Sequence, residues 1–118
     1  DVYQKRVFEL AQNLGDVSEK ARNRKRKRED LQGGCFSISS LGGIGGTAFT
    51  PLVNAPEVAI LGVTRSKMTP QWNGEEFIPR LMLPLDLTYD HRVIDGAAAA
   101  MFLADFCTLL SDMKRLLL

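Results

Sequence analysis

Tyr89-Asp90-His91-Arg92-Val93-Ile94-Asp95-Gly96 joins a strand pattern to a helix pattern. Upstream, Arg80–Tyr89 reads as one long strand, in which Pro84 argues for a bulge or an edge position. Downstream, a helix is expected from about Gly96 to Leu116, with Phe102, Phe106, Leu109, Leu110, Met113 and Leu117 on one stripe. Ala97–Ala100 permits close packing at its start. A strand-to-helix junction is where a loop exposes side chains on a rigid support. Histidine is the side chain that ordinarily titrates near neutral pH, as a general base must. Asp95, four residues after His91, is placed to orient neighbouring groups or to cap the helix, and Gly96 lets the backbone turn. On spacing alone, a catalytic pair and a plain helix cap are both open.

Further upstream, Trp72-Asn73-Gly74-Glu75 reads as a hairpin turn, with Asn-Gly supplying positive φ angles. Val58–Thr64 is apolar on both faces, the pattern of a strand covered from both sides. The stretch Ser40–Pro56, rich in Gly, Thr, Asn and Pro, is expected to be an irregular loop. Cys35-Phe36-Ser37-Ile38-Ser39 alternates apolar and small polar residues and reads as a strand. Residues Val2–Lys27 read as helical, since Val7, Leu10, Ala11 and Leu14 form one stripe. Gly15 is expected to break or end the first segment, with Asp16 or Ser18 capping a second through Glu19–Arg28. Glu29–Gly34 then leads into a loop. The order helix, strand, strand, hairpin, strand, helix suggests a mixed α/β layer arrangement.

The chain has 118 residues, 45% hydrophobic and 25% charged, a globular rather than a disordered composition. A free-standing domain of this size would bury only about two-thirds of its unfolded surface. That thin margin, and a start at Asp1 without Met, fit a piece of a longer protein. Two cysteines and one histidine do not supply the usual four zinc ligands, so no metal is expected. Cys35 and Cys107 are expected to be buried free thiols. The longest apolar run, Ala97–Leu110, is interrupted by Asp105 and falls short of a membrane span of about 20 residues. A soluble, cytoplasmic protein is therefore expected. Net charge is +1, so long-range attraction to an anionic partner is weak. The basic run Arg22–Arg28 lacks interleaved aromatics, which favours a solvated helix end over nucleic-acid binding. Gly43-Ile44-Gly45-Gly46-Thr47-Ala48 fits a dinucleotide fingerprint but is followed by Phe49-Thr50-Pro51, which does not open a helix.

Several ordered segments carry a resemblance. His91-Arg92-Val93-Ile94-Asp95-Gly96 matches the His-x-x-x-Asp-Gly motif of the chloramphenicol acetyltransferase-like superfamily. Phe36–Gly42, Gly45–Pro51, Asn54–Gly62 and Met82–Leu85 follow in the same order as in dihydrolipoamide acyltransferases, the core components of 2-oxoacid dehydrogenase complexes. The wording Thr50-Pro51-Leu52-Val53-Asn54-Ala55-Pro56-Glu57 resembles the bacterial pyruvate type. The likeness extends over essentially the whole chain from about Glu9.

The resemblance implies a mixed-sheet layered α/β fold, of which residues 1–118 would be the C-terminal half of one catalytic domain. It implies acetyl transfer between the thiols of coenzyme A and of a lipoyl group carried on a separate domain. His91 would be the general base and Ser39 the donor to the oxyanion, while Asp95 would hold the loop and the charge balance. Coenzyme A contacts would lie largely in the other half and are not assigned to residues here. The site would form between subunits of a trimer, with Ser39 from one and His91 from its neighbour. Trimers would build a cubic core, with Leu116-Leu117-Leu118 at contacts between them, and would hold decarboxylase and dihydrolipoamide dehydrogenase subunits. Two other classes compete. A non-catalytic core scaffold would not need His91, Asp95 and Ser39 intact, and a basic nucleic-acid module would show a salt-sensitive gel shift.

Overall fold

The structure is a computed structural model that describes residues 2–24, 27, 29 and 32–117. The chain forms two units, one from residues up to Gly33 together with those from Ala104 on, the other from Gly34 to Leu103.

The second unit carries a three-stranded sheet and a separate hairpin. Strand β1 (Ser37–Ser40) runs parallel to β2 (Ala59–Val63), which runs antiparallel to β5 (Leu85–Tyr89). The central place of β2 follows from its composition: with no polar side chain from Ala59 to Val63, it is stable only between neighbours and under cover. Ala59 and Leu61 are buried, Leu61 at 2% exposure, as are Pro51 of the loop before β2 and Ala99 of the helix α2 (Gly96–Ser111). Paired residues share a face of a sheet. Ile38, Leu61 and Leu87 therefore make an apolar row, while Ser39, Gly62 and Asp86 make a row on the opposite, polar face. The loop between β1 and β2 is irregular, as expected, with Gly45 and Gly46 at φ 116° and 94°, where a side chain would be strained.

The structure departs from several sequence expectations. Arg80–Tyr89 is not one strand, because Pro84 divides it: β4 (Phe77–Met82) pairs with β3 (Lys67–Trp72) in a two-stranded ribbon, and β5 joins the main sheet. A proline has no N–H to give a ladder and restricts the residue before it, which ends β4. The Pro84 carbonyl instead accepts from the Thr64 N–H at 3.4 Å. The hairpin turn is longer than two residues. Only Gly74 takes a positive φ, of 102°, while the Asn73 side chain accepts from the N–H groups of Glu75 and Glu76 at 2.9 and 2.8 Å. Asn73 thus shapes the turn with its side-chain carbonyl rather than its backbone. The final helix is also divided. It ends at Ser111, and Asp112 accepts from the Lys114 N–H at 3.1 Å to open α3 (Met113–Leu117). Aspartate competes for backbone donors in this way, and the expected single stripe is broken there. Finally, Cys35 and Cys107 are free but exposed, because they lie in the approach to β1 and on an uncovered side of α2.

In the first unit, α1 (Val7–Arg22) continues through Gly15, and neither Asp16 nor Ser18 starts a second helix. One exposed glycine costs only about 1 kcal/mol relative to alanine, too little to break a 16-residue helix. Glu9 fixes its start by accepting from the Arg6 N–H at 2.9 Å. The apolar stripe is largely open, with Leu10 half-buried and Val7, Phe8 and Leu14 exposed. Of the basic run, Arg22, Arg24 and Lys27 are exposed, while Lys25, Arg26 and Arg28 lie outside the described residues, as does Leu118.

Candidate active site

β1 presents three serines, two of which are already engaged. Ser37 Oγ donates to both carboxylate oxygens of Glu57, at 2.9 and 2.8 Å, and Ser40 Oγ accepts from the Gly42 N–H at 3.4 Å. Ser39 is half-buried on the polar face, and its hydroxyl has no hydrogen-bond partner among the described residues. A partly screened, uncommitted hydroxyl on a rigid strand is suited to donating to an outside acceptor.

His91 stands on the turn after β5, exposed, with its ring 5.8 Å from that of Tyr89 at 36°. The turn is built around Asp90. The Asp90 N–H donates to the Val58 carbonyl at 2.8 Å, tying the turn to the approach to β2. The Asp90 carbonyl accepts from the N–H groups of Val93 and Ile94, both at 3.0 Å. The Asp90 carboxylate accepts Nε and Nη2 of Arg92 at 2.9 and 2.7 Å and the Arg92 N–H at 3.0 Å. These hydrogen bonds, and the Arg92 charge with them, hold the Asp90 carboxyl down at about 2 and push the Arg92 guanidinium up. Asp95 caps α2: its Oδ1 accepts from the Ala98 N–H at 2.7 Å, and its carbonyl from the Ala99 N–H at 3.1 Å. A helix cap is therefore one role that Asp95 performs.

The register separates the two uncommitted groups. Ser39 lies in the row of Gly62 and Asp86, three rows from the Ala59–Tyr89 row that precedes His91, and two strands away from β5. At ordinary strand spacings that is about 10 Å along the sheet and about 10 Å across it before the turn begins. Ser39 and His91 of one chain do not meet. The Asp90–Arg92 pair went unread in the sequence, where both look like charges on a solvated loop. Their i,i+2 spacing around the histidine was the available signal. Among the described residues no group of three or more His, Cys, Asp or Glu side chains is placed to hold a metal ion.

The family model for 2-oxoacid dehydrogenases acyltransferase (catalytic domain) matches residues 1–118. The chain belongs to this family. It is 57% identical over 118 residues to the dihydrolipoyllysine-residue acetyltransferase component of the pyruvate dehydrogenase complex of Haemophilus influenzae, covering 100% of this chain and 21% of that protein. The namesake component of Pseudomonas aeruginosa is 58% identical, with 22% of its length covered. Among solved structures, the Azotobacter vinelandii dihydrolipoamide acetyltransferase matches at a TM-score of 0.92 and 59% identity, over 98% of this chain and 47% of that one. That structure belongs to an investigation of the role of a serine, a histidine and an asparagine in the catalytic mechanism. The cubic core of the pyruvate dehydrogenase multienzyme complex matches at a TM-score of 0.92 and 58% identity, again over 47% of that chain. The family member thus spans about a fifth of the length of these relatives and about half of the solved chains. The mixed helix-and-sheet fold expected from the sequence is the fold these structures share.

Proposed function

We propose that this chain is the C-terminal half of an acyltransferase catalytic domain, and that the whole protein transfers acetyl groups between coenzyme A and dihydrolipoyl thiols. One observation carries the reading. Ser39 and His91 stand 52 residues apart and Asp95 four further on, the spacing of the serine, histidine and asparagine investigated in the Azotobacter vinelandii enzyme. Here the third position is Asp, which caps a helix as well as Asn does. The small core supports the reading of a half-domain. Among the described residues the buried side chains are few, Ala59, Leu61, Ala99 and Pro51 among them, while Phe8, Leu52, Phe77 and Leu81 are each more than 65% exposed.

A thiol with an ordinary pKa of about 8.5 is mostly protonated at neutral pH, so its attack on a thioester needs a base. His91 takes the proton from the attacking sulfur as the new C–S bond forms. Ser39 donates a hydrogen bond to the carbonyl oxygen as it becomes an oxyanion. When the intermediate collapses, the C–S bond to the outgoing thiolate breaks and His91 returns the proton to that sulfur. The separation of Ser39 and His91 within one chain favours a site completed between subunits, Ser39 from one and His91 from the next. A trimer of this kind, assembled into a cubic core in the cytoplasm, would hold decarboxylase and dihydrolipoamide dehydrogenase subunits and receive the lipoyl domain. Leu116 and Leu117, which line an open groove with Val7 and Phe8, would serve contacts between trimers.

The test is acetyl transfer from acetyl-coenzyme A to dihydrolipoamide by the full-length protein. His91→Ala should lower kcat by about a hundred- to ten-thousandfold with the assembly intact. Near-normal turnover in that variant would refute the assignment.

A further inference from the structure

We propose that Asp90 and Arg92 form a clasp across His91 that positions the imidazole for transfer, making both of them positioning residues of the site. The inference rests on the acyl-transfer reading above. The clasp joins the two residues that flank His91 through two parallel contacts to one carboxylate, at 2.9 and 2.7 Å. A third bond, from the Arg92 N–H to the same carboxylate, closes the loop on the backbone side. The Asp90 carbonyl draws in Val93 and Ile94, and its N–H anchors the turn to Val58. None of these bonds uses an atom of His91, so its flanks are fixed while its exposed ring, beside that of Tyr89, makes no hydrogen bond among the described residues. The Asp90 carboxylate is charged throughout the neutral range, so the clasp does not open as the imidazole exchanges its proton.

The clasp contributes little to stability. The Arg92 side chain is 89% exposed, and ion pairs in water hold a fold only weakly. Its worth is geometric, and this separates the proposal from a structural role. A base displaced by about 1 Å can lose about a hundredfold in rate without any loss of binding.

The experiment compares Asp90→Asn and Arg92→Lys with wild type and His91→Ala in the full-length, assembled protein. In both new variants kcat should fall about ten- to a hundredfold. KM for either thiol substrate should stay within about twofold, and Tm should not move. Arg92→Lys keeps the charge but not the two-point fork, and its exposed side chain makes it the deciding variant should Asp90→Asn fold poorly. If His91→Ala abolishes transfer while Arg92→Lys keeps kcat within about threefold of wild type, the clasp is overturned and the acyl-transfer reading stands. A rise in KM at unchanged kcat also overturns it. If His91→Ala itself turns over normally, both fall.

Discussion

A Cβ on Gly62 would lie 3.0 Å from Cζ of Phe49 and 3.1 Å from both Cγ and Cδ of Pro51. The loop between β1 and β2 therefore rests directly on the central strand, beside the row that holds Ser39. Pro51 is buried and its ring is rigid, so of the two neighbours only the half-buried Phe49 ring can give way to an added methyl group. Gly62→Ala should destabilise the protein by about 1–3 kcal/mol, read as a lower denaturation midpoint. An unchanged midpoint would mean that the loop lifts freely.

Asp95→Ala should cost about 1 kcal/mol, because the Ala98 N–H loses its partner at the start of α2. Asp95→Asn should keep both the stability and most of the turnover, since an amide oxygen caps equally well. Thermal unfolding and the transfer assay on the two variants check this. A stable Asp95→Asn protein with turnover lost would give the Asp95 charge a part in the chemistry beyond the cap.

The Asp90 carboxyl, ordinarily near 3.8, is lowered to about 2 by the Arg92 hydrogen bonds. A depressed carboxyl stabilises the folded state above its unfolded pKa and loses that contribution as pH falls through its folded pKa. The clasp should therefore persist at pH 4 and above and open as pH falls through about 2, its small contribution to stability fading from about pH 4 downward. A carbon-13 titration of the Asp90 carboxyl should show its midpoint at about 2. A midpoint near 4 would contradict the bidentate geometry.

On the proposed role of Ser39 as donor to the oxyanion, Ser39→Ala should reduce kcat by about a hundred- to a thousandfold while KM changes little, because such a donor acts on charge that develops only in the transition state. A change confined to KM would make Ser39 a binding group instead.

What the sequence made legible follows from local chemistry. Unbroken apolar composition marked Val58–Thr64 as a covered strand, and an Asp before a run of alanines marked the cap of α2. The resemblance, not the spacing, singled out Ser39 and His91 as a pair. Other features depend on what the rest of the chain offers. Pro84 divides two sheets rather than bulging one strand, because β5 finds a partner in β2 that β4 does not share. Gly15 carries a helix-breaking tendency too weak to decide anything in a long helix. The apolar stripe beyond Ala99 suggested a covered helix, yet Leu109 and Leu110 remain 41% exposed. The distance between Ser39 and His91 depends on strand register, which no local pattern in the sequence fixes.

The most direct test of the central claim is turnover of mixed assemblies, made by co-expressing Ser39→Ala and His91→Ala chains of the full-length protein in equal amounts. Each subunit supplies the group that the other lacks. If sites form between neighbouring subunits, random mixing should return about a quarter of wild-type turnover, far above either parent. Turnover no greater than that of the parents would contradict a site shared by Ser39 of one chain and His91 of the next.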